Sequence, residues 1–210
     1  MTANTYDALV KVAGPVSRET FLQLTAFVER FLRWNKVTNL VASSTVDEIW
    51  QRHINDSAQL WTLAPEARIW VDLGSGGGFP GLVMAMLLRE TPGASVHLVE
   101  SNRKKTSFLQ SIVGEFGLPA TVYSRRIEET YESIGQVDAV SSRALASLPQ
   151  LLALSEPWLS TGAHGYFHKG RDYQREIKES LPAWRFDLIE HPSAIESQSV
   201  ILEISGLARA

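Results

Sequence analysis

Cysteine is absent from the 210 residues of this sequence. Its absence excludes disulfide bonds, thiolate metal sites and a cysteine nucleophile. Long apolar runs are absent too, because the run Leu82–Leu88 is far shorter than the ~18 residues that a membrane-spanning helix requires. The first residues lack the basic region and apolar core of a secretory signal. We therefore expect a cytoplasmic protein that has neither a membrane partner nor a bound metal.

An excess of positive charge is also lacking, since the formal net charge is −3 at pH 7. Binding of nucleic acid over the whole surface is therefore not expected, and any such contact would need a local basic patch. Apolar residues make up 44% of the chain and charged residues 20%, which is typical of a globular protein of ordinary domain size. We expect a monomer.

Apolar residues in the first 65 positions recur at the spacing of amphipathic helices. The first apolar face consists of Phe21, Leu24, Val28, Phe31 and Leu32. A second helix is predicted to begin at Thr45, since Thr45 and Glu48 have the spacing of a capping box. Within it, Arg52 and Asp56 are one turn apart and are expected to form an ion pair. Residues 1–65 are thus predicted to form a helical cap and residues 66–210 the larger domain, together one compact unit.

From residue 66 onward, short apolar segments alternate with helical patterns, which is typical of an α/β fold with a parallel sheet. The predicted strands are Ile69–Leu73, Val96–Glu100, Thr121–Tyr123, Val137–Ser142, Gly165–His168, Arg185–Ile189 and Val200–Ile204. The last two follow each other without a crossover helix, so they are expected to pair antiparallel. The pattern predicts a mostly parallel sheet with an antiparallel last strand.

A cluster of glycines follows the first predicted strand. It consists of Gly74, Gly76, Gly77, Gly78 and Gly81. Glycine lacks Cβ, so such a cluster permits a tight turn and lets a ligand lie directly against the backbone. Pro80 suits the first turn of the helix that comes next. We predict a ligand-binding loop at the N-terminus of a helix.

Two ligands compete for this loop. Gly76–Gly81 satisfies the G-x-G-x-x-G pattern of dinucleotide sites, with an acidic residue, Glu100, further along the chain. The longer pattern D-x-G-x-G-x-G begins at Asp72, and its carboxylate suits the ammonium group of S-adenosylmethionine better than a pyrophosphate. Glu100 could bind ribose hydroxyls in either case. We favour S-adenosylmethionine, and a nicotinamide-dependent oxidoreductase is the alternative.

Four motifs between residues 33 and 144 resemble those of one family. They are Arg33-Trp34-Asn35-Lys36 with Asn39-Leu40, Arg52-His53-Ile54 with Asp56-Ser57, Asp72-Leu73-Gly74-Ser75-Gly76 with Phe79-Pro80-Gly81, and Ser142-Arg143-Ala144. In this order they resemble the glucose-inhibited division protein B family. The resemblance departs at Gly77, where other members often carry proline.

The resemblance implies a bacterial enzyme that methylates N7 of a guanine in small-subunit (16S) ribosomal RNA. Its partner would be that RNA or the ribosomal subunit. The implied fold is the class I, Rossmann-like S-adenosylmethionine-dependent methyltransferase fold, with a seven-stranded sheet and an N-terminal helical cap. Together, the glycine-loop pattern and the resemblance imply a set of cofactor contacts. They are Asp72, Gly74, Gly76, Gly78, Phe79, Glu100, Ile127, Glu128 and Arg143. A non-catalytic ribosome-assembly factor with a vestigial pocket is the alternative.

The residues present agree with methylation of a ring nitrogen. Methylation of a pyrimidine C5 would need a cysteine, and Ser141–Ala144 replaces the Pro-Pro motif usual in enzymes that methylate exocyclic amines. The lone pair of guanine N7 is already free, so we assign no catalytic base, and catalysis would consist of positioning. Arg143 and Lys169 are predicted to position the substrate, although Arg143 could instead pair with a local carboxylate.

Basic residues that could contact RNA are scattered along the chain from residue 103 onward. The candidates are Arg103, Lys104, Lys105, Arg125, Arg126, Lys169 and Arg171. Contacts of such residues with phosphate supply affinity without sequence information. The alternative for each is a solvated charged surface.

Overall fold

The computed structural model describes residues 3–42 and 45–210. Its N-terminal part is helical. The elements are α1 (Ala3–Ala13), α2 (Arg18–Thr38), a π-helical segment (Trp50–Asn55), α3 (Asp56–Ala58) and α4 (Leu60–Leu63). Ser17 caps α2 by accepting a hydrogen bond from the backbone N–H of Thr20 at 3.0 Å. The predicted apolar face of α2 is buried, because Leu24, Val28 and Phe31 all face the core.

Two expectations for the second helix are wrong. Thr45 does not cap it, because its hydroxyl donates to the carbonyl of Ala42 and the α- and π-helical backbone of this segment begins at Ile49, after a bend and turn at residues 46–48. Arg52 and Asp56 do not pair either: Arg52 lies 3.5 Å from Glu48, and Asp56 turns toward the sheet. A π-helix bonds residues five apart instead of four, so its winding removes the stacking of positions 52 and 56 that an α-helix would give.

The strands of the described chain form a seven-stranded sheet in the order β3-β2-β1-β4-β5-β7-β6. Their bounds are β1 Ile69–Leu73, β2 Ser95–Val99, β3 Ala120–Tyr123, β4 Ala139–Arg143, β5 His164–Lys169, β6 Trp184–Pro192 and β7 Val200–Arg209. Strands β1 to β5 pair in parallel, whereas β7 is antiparallel to both β5 and β6. The prediction of a mostly parallel sheet with an antiparallel last strand is confirmed.

Helices cover both faces of the sheet. They are α5 (Gly81–Leu87), α6 (Arg103–Phe116), α7 (Tyr131–Ile134), α8 (Leu148–Leu159) and α9 (Tyr173–Ser180), with a 3-10 turn at Ile127–Glu129. The strand order reverses at β1, which has β2 on one side and β4 on the other. In open α/β sheets a ligand crevice lies outside the carboxyl ends of the strands at such a point. None of the described helices is long and apolar enough to cross a membrane.

The N-terminal helices share one hydrophobic core with α5, α6 and one face of the sheet. An aromatic cluster stands at the centre of this contact. The ring of Phe31 on α2 lies 5.2 Å from Phe79 of the glycine loop, 5.8 Å from Phe108 of α6 and 6.1 Å from Phe27. The cap therefore packs directly against the loop that was predicted to bind a ligand. The boundary at residue 65 stays a prediction.

This packing predicts the effect of Phe31→Ala on stability. Phe31 is fully buried, so its truncation should lower the free energy of unfolding by about 3–5 kcal/mol through lost contacts and a cavity. Urea unfolding followed by circular dichroism measures the change. Leu22→Ala on the same helix is the control, because Leu22 is 64% exposed and should cost less than about 0.5 kcal/mol. A cost below about 1 kcal/mol for Phe31→Ala would contradict the shared core.

Candidate functional site

The glycine loop leaves β1 at the carboxyl edge of the sheet and leads into α5. At two positions the structure shows why glycine is needed. The φ angle of Gly74 is 69°, and a Cβ there would lie 2.6 Å from Leu145 Cδ1. At Gly81 a Cβ would strike Leu98 Cδ2 and would lie 2.6 Å from Asp72 Oδ2. The loop therefore presents bare backbone to the crevice at Gly74 and packs tightly on the sheet at Gly81.

Asp72 is buried beneath this loop. Its Oδ1 accepts a hydrogen bond from the Ser141 hydroxyl at 2.8 Å, whereas Oδ2 has no hydrogen-bond partner among the described residues. Burial raises the pKa of Asp72 to about 6, and the hydrogen bond from Ser141 opposes part of the rise. The Asp72 carboxylate thus lies buried beneath the glycine loop.

A cavity of about 330 Å³, cavity A, opens on the β2 side of Gly74. The structure brings four of the predicted cofactor residues to its wall: Gly74, Glu100, Ile127 and Glu128. The apolar part of the cavity wall consists of Val99, Leu145 and Leu154. Glu100 accepts one backbone N–H on each oxygen, from Gly76 at 3.0 Å and from Asn102 at 2.7 Å. Its carboxylate is thereby fixed at the end of β2.

A second cavity of about 410 Å³, cavity B, lies on the other side of Gly74. Gly76, Phe79 and Arg143 line it, together with residues of the N-terminal cap. Cavities A and B share Gly74, Lys105 and Ala144, so they are two compartments of one crevice. The structure thus brings Gly74, Gly76, Phe79 and Arg143 together, while Asp72 lies below them.

Arg143, at the end of β4, is held by the cap. Its Nη1 donates to the carbonyl of Arg52 at 2.8 Å and lies 3.4 Å from Asp56 Oδ2, and its Nη2 lies 2.6 Å from His53 Nδ1. Burial, and then the charge of Arg143, lower the pKa of His53 to about 3. The neutral imidazole therefore accepts from Arg143 and donates its Nε2–H to Thr45 Oγ1 at 3.1 Å. The pairing of Arg143 with a local carboxylate is observed.

The structure separates Lys169 from the other predicted RNA contacts. Its side chain is 6% exposed, and Nζ lies 2.6 Å from Glu176 and donates to the carbonyl of Ala146. A lysine held in this way does not offer its charge to an external phosphate, so the expectation of an RNA contact at Lys169 is revised. Lys105, Arg125 and Arg126 border cavity A.

The remaining predicted RNA contacts, Arg103, Lys104 and Arg171, are exposed elsewhere. None of these six basic residues forms an ion pair with a carboxylate in the described part of the chain.

Several site residues were missed by reasoning from the sequence. Thr45, Asp56 and Leu145 contact the crevice or its arginine, and helical periodicity gave no sign of this. His53 is buried and hydrogen-bonded to the same arginine. The available signal was the run of polar residues from Arg52 to Ser57 within an otherwise apolar helical segment.

Comparison with known proteins agrees with this geometry. A family model described as "rRNA small subunit methyltransferase G" (GidB) matches residues 21–201. The chain belongs to this family. Relatives named "Ribosomal RNA small subunit methyltransferase G" include one from Chelativorans sp. (strain BNC1), 52% identical over 209 residues and covering 100% of both chains. Another, from Brucella canis, is 53% identical over 204 residues and covers 97% of this chain and 96% of its own.

Solved structures with low sequence identity share the fold of this rRNA small subunit methyltransferase G family member. A protein from Klebsiella pneumoniae, provisionally named an O-methyltransferase, is 14% identical with a TM-score of 0.59, covering 95% of this chain and 94% of its own. The ribosomal protein L11 methylase from Lactobacillus delbrueckii is 16% identical with a TM-score of 0.54, covering 72% and 78%. The resemblance and the Rossmann-like methyltransferase fold are confirmed, and they imply a methyl donor of the S-adenosylmethionine type.

The buried carboxylate of Asp72 predicts how stability depends on pH. Its pKa is about 6 in the folded protein and 3.8 as the ordinary value, so the folded protein binds this proton more tightly. The associated stability is fully present below about pH 3.8 and is lost as the pH rises through about 6. At about 1.4 kcal/mol per tenfold change in proton affinity, the loss is about 3 kcal/mol.

Asp72→Asn removes this titration while keeping the shape of the side chain. Urea unfolding of both proteins between pH 4 and pH 7.5 should show wild type losing about 2.5 kcal/mol relative to Asp72→Asn, because part of the loss has already occurred at pH 4. A difference that stays constant across this range would show that Asp72 ionises in the folded protein as easily as in the unfolded chain.

Proposed function

We propose that this protein transfers a methyl group from S-adenosylmethionine to N7 of a guanine in small-subunit ribosomal RNA. The observation that carries the proposal is the pair of cavities on either side of Gly74, at the carboxyl edge of the sheet, in a member of this family. The names of its relatives, "Ribosomal RNA small subunit methyltransferase G", support the RNA substrate.

The residues present fit S-adenosylmethionine. Cavity A would hold the adenosine, with Val99 and Ile127 against the adenine and Glu100 toward the ribose hydroxyls. Each oxygen of Glu100 accepts one backbone N–H and keeps a lone pair for a hydroxyl. The methionine part would lie along the backbone at Gly74 and Gly76, where a Cβ at Gly74 would strike Leu145. Bare backbone at the junction of the two cavities is what such a two-part ligand requires.

Methyl transfer to guanine N7 would not require a catalytic acid or base. Guanine N7 would attack the sulfonium methyl with its free lone pair, the methyl–sulfur bond would break with its electrons leaving on sulfur, and no proton would move. His53 borders cavity B but is neutral and engaged at both ring nitrogens, so it does not serve as a base. The task of Arg143 would be to fix the acceptor, and the cap holds its guanidinium in one orientation for this purpose.

RNA would approach over the local basic residues, because the chain as a whole is negative. Lys105, Arg125 and Arg126 border cavity A, while Arg103 and Lys104 lie at the start of α6 beside them. We propose these five, with the exposed Arg171, as the phosphate contacts. Three of them, Lys105, Arg125 and Arg126, border the crevice in which methyl transfer would occur.

Isothermal titration calorimetry tests the cofactor. S-adenosylmethionine should bind the wild-type protein and NADH should not compete. Gly74→Ala should weaken binding at least tenfold, because a Cβ at a φ of 69° would strike Leu145 and fill the junction. Glu100→Gln should weaken binding by roughly ten- to a hundredfold, the usual range for a hydrogen bond to a charged group.

The matched control is Gly114→Ala. Gly114 lies on α6, where a Cβ would meet nothing within 4 Å, so this variant should bind as wild type does. Absence of S-adenosylmethionine binding by the wild-type protein would overturn the proposed function. Equal binding by Gly74→Ala and Gly114→Ala would overturn the assignment of the crevice.

A further inference from the structure

A third cavity, cavity C, adjoins the crevice. Its volume is about 300 Å³, at the lower end of the range of about 300–1,000 Å³ for small-ligand sites. It shares Arg143 and Ala144 with cavity B, so the two are contiguous. Its other walls are Arg52 and Asp56 of the cap, the end of β5 with Lys169, and the loop between β6 and β7, residues 193–199. Cavity C thus lies beyond Arg143 as seen from the glycine loop.

The β6–β7 loop is fixed in place by hydrogen bonds. The Ser193 hydroxyl accepts from the backbone N–H groups of Ile195 at 3.1 Å and Glu196 at 3.2 Å. The backbone N–H of Ala194 donates to Gln59 Oε1 at 2.7 Å, and Gln59 Nε2 donates to Asp56 at 3.0 Å. Asp56 also holds Arg143, so the loop and the arginine are positioned by one network.

Two carboxylates border cavity C, and they differ in whether their oxygens can accept a hydrogen bond from a ligand. Asp56 is engaged on both oxygens, by Gln59 on Oδ1 and by Arg143 on Oδ2. Glu196 lies 3.7 Å from Arg52, with side chains 52% and 45% exposed. A surface pair of this kind contributes little to stability and is easily exchanged for another partner. Glu196 is therefore the acceptor that a ligand in cavity C would meet.

Arg143 supplies hydrogen-bond donors to cavity C. A guanidinium has five N–H groups, and three contacts to Arg52, Asp56 and His53 occupy the guanidinium here. Among the described residues the guanidinium has no further hydrogen-bond partner, and Arg143 lines both cavity B and cavity C, where a ligand could meet the remaining N–H groups. Cavity C is thus lined by a fixed donor, Arg143, which it shares with cavity B, and by a carboxylate acceptor, Glu196.

We propose that cavity C receives the acceptor guanine, with Arg143 donating to O6 and Glu196 accepting from N1–H and the N2 amine. This assignment rests on the proposed function. In guanine, O6 and N7 are neighbouring acceptors on one edge, so a donor at O6 placed beside cavity B directs N7 toward the crevice. Adenine carries an amino group in place of O6, and its donors would face those of Arg143. The pattern therefore selects guanine.

The test uses inosine, which differs from guanosine only by lacking the N2 amine. The methylated position is first mapped by mass spectrometry, and small-subunit RNA is then prepared with guanosine or inosine at that position. Methyl transfer is measured as kcat/KM for wild type, Glu196→Ala and the control Glu90→Gln, an exposed residue that precedes β2 at the opposite edge of the sheet. Calorimetry gives the Kd for S-adenosylmethionine in parallel.

Wild type and Glu90→Gln should prefer guanosine over inosine by roughly tenfold or more, and Glu196→Ala should lose this preference. The kcat/KM of Glu196→Ala on guanosine RNA should fall by roughly ten- to a hundredfold, with an unchanged Kd for S-adenosylmethionine and an unchanged melting temperature. A Glu196→Ala protein that retains the wild-type preference overturns the inference alone. A wild-type protein that methylates neither RNA overturns the proposed function, and the inference with it.

Discussion

The contact between Arg143 and the N-terminal cap is the interaction on which the site depends. Arg143 ends β4 at the carboxyl edge of the sheet, and its partners Arg52, His53 and Asp56 all come from the cap. A buried guanidinium is costly unless its hydrogen bonds are satisfied, and the cap supplies them. Because Arg143 also separates cavities B and C, the packing of the cap determines where a substrate could meet the glycine loop.

A second constraint acts beneath the loop. Asp72 is buried with one oxygen unpartnered among the described residues, and burial raises its pKa to about 6. At neutral pH the ionised carboxylate therefore lowers the stability of the fold. Perturbed groups of this kind cluster at functional sites. The ionised Asp72 lowers the stability of the fold, but it places a negative charge beneath the exposed backbone of the glycine loop. A cationic methyl donor would be held at this loop.

The features that depend on residues close together in the chain could be predicted from the sequence. Strand β1, the glycine loop and the apolar face of α2 follow from local spacing, and the motifs identified the family. Contacts between distant segments were not predictable in this way. Lys169 pairs with Glu176 only because α9 packs near the end of β5, and Asp56 leaves Arg52 because the segment winds as a π-helix. Glu196 gave no local signal, since its loop meets Gln59 only in the folded chain.

The most direct test of the central claim is a comparison of ribosomal RNA from cells with and without this protein. Fragments of small-subunit RNA are mapped by mass spectrometry, and N7-methylguanine is located by borohydride reduction and aniline cleavage. One guanine of the small-subunit RNA should carry a methyl group and be cleaved by aniline only when the protein is present. Identical maps and cleavage patterns from the two strains would contradict it and would favour a non-catalytic role in ribosome assembly.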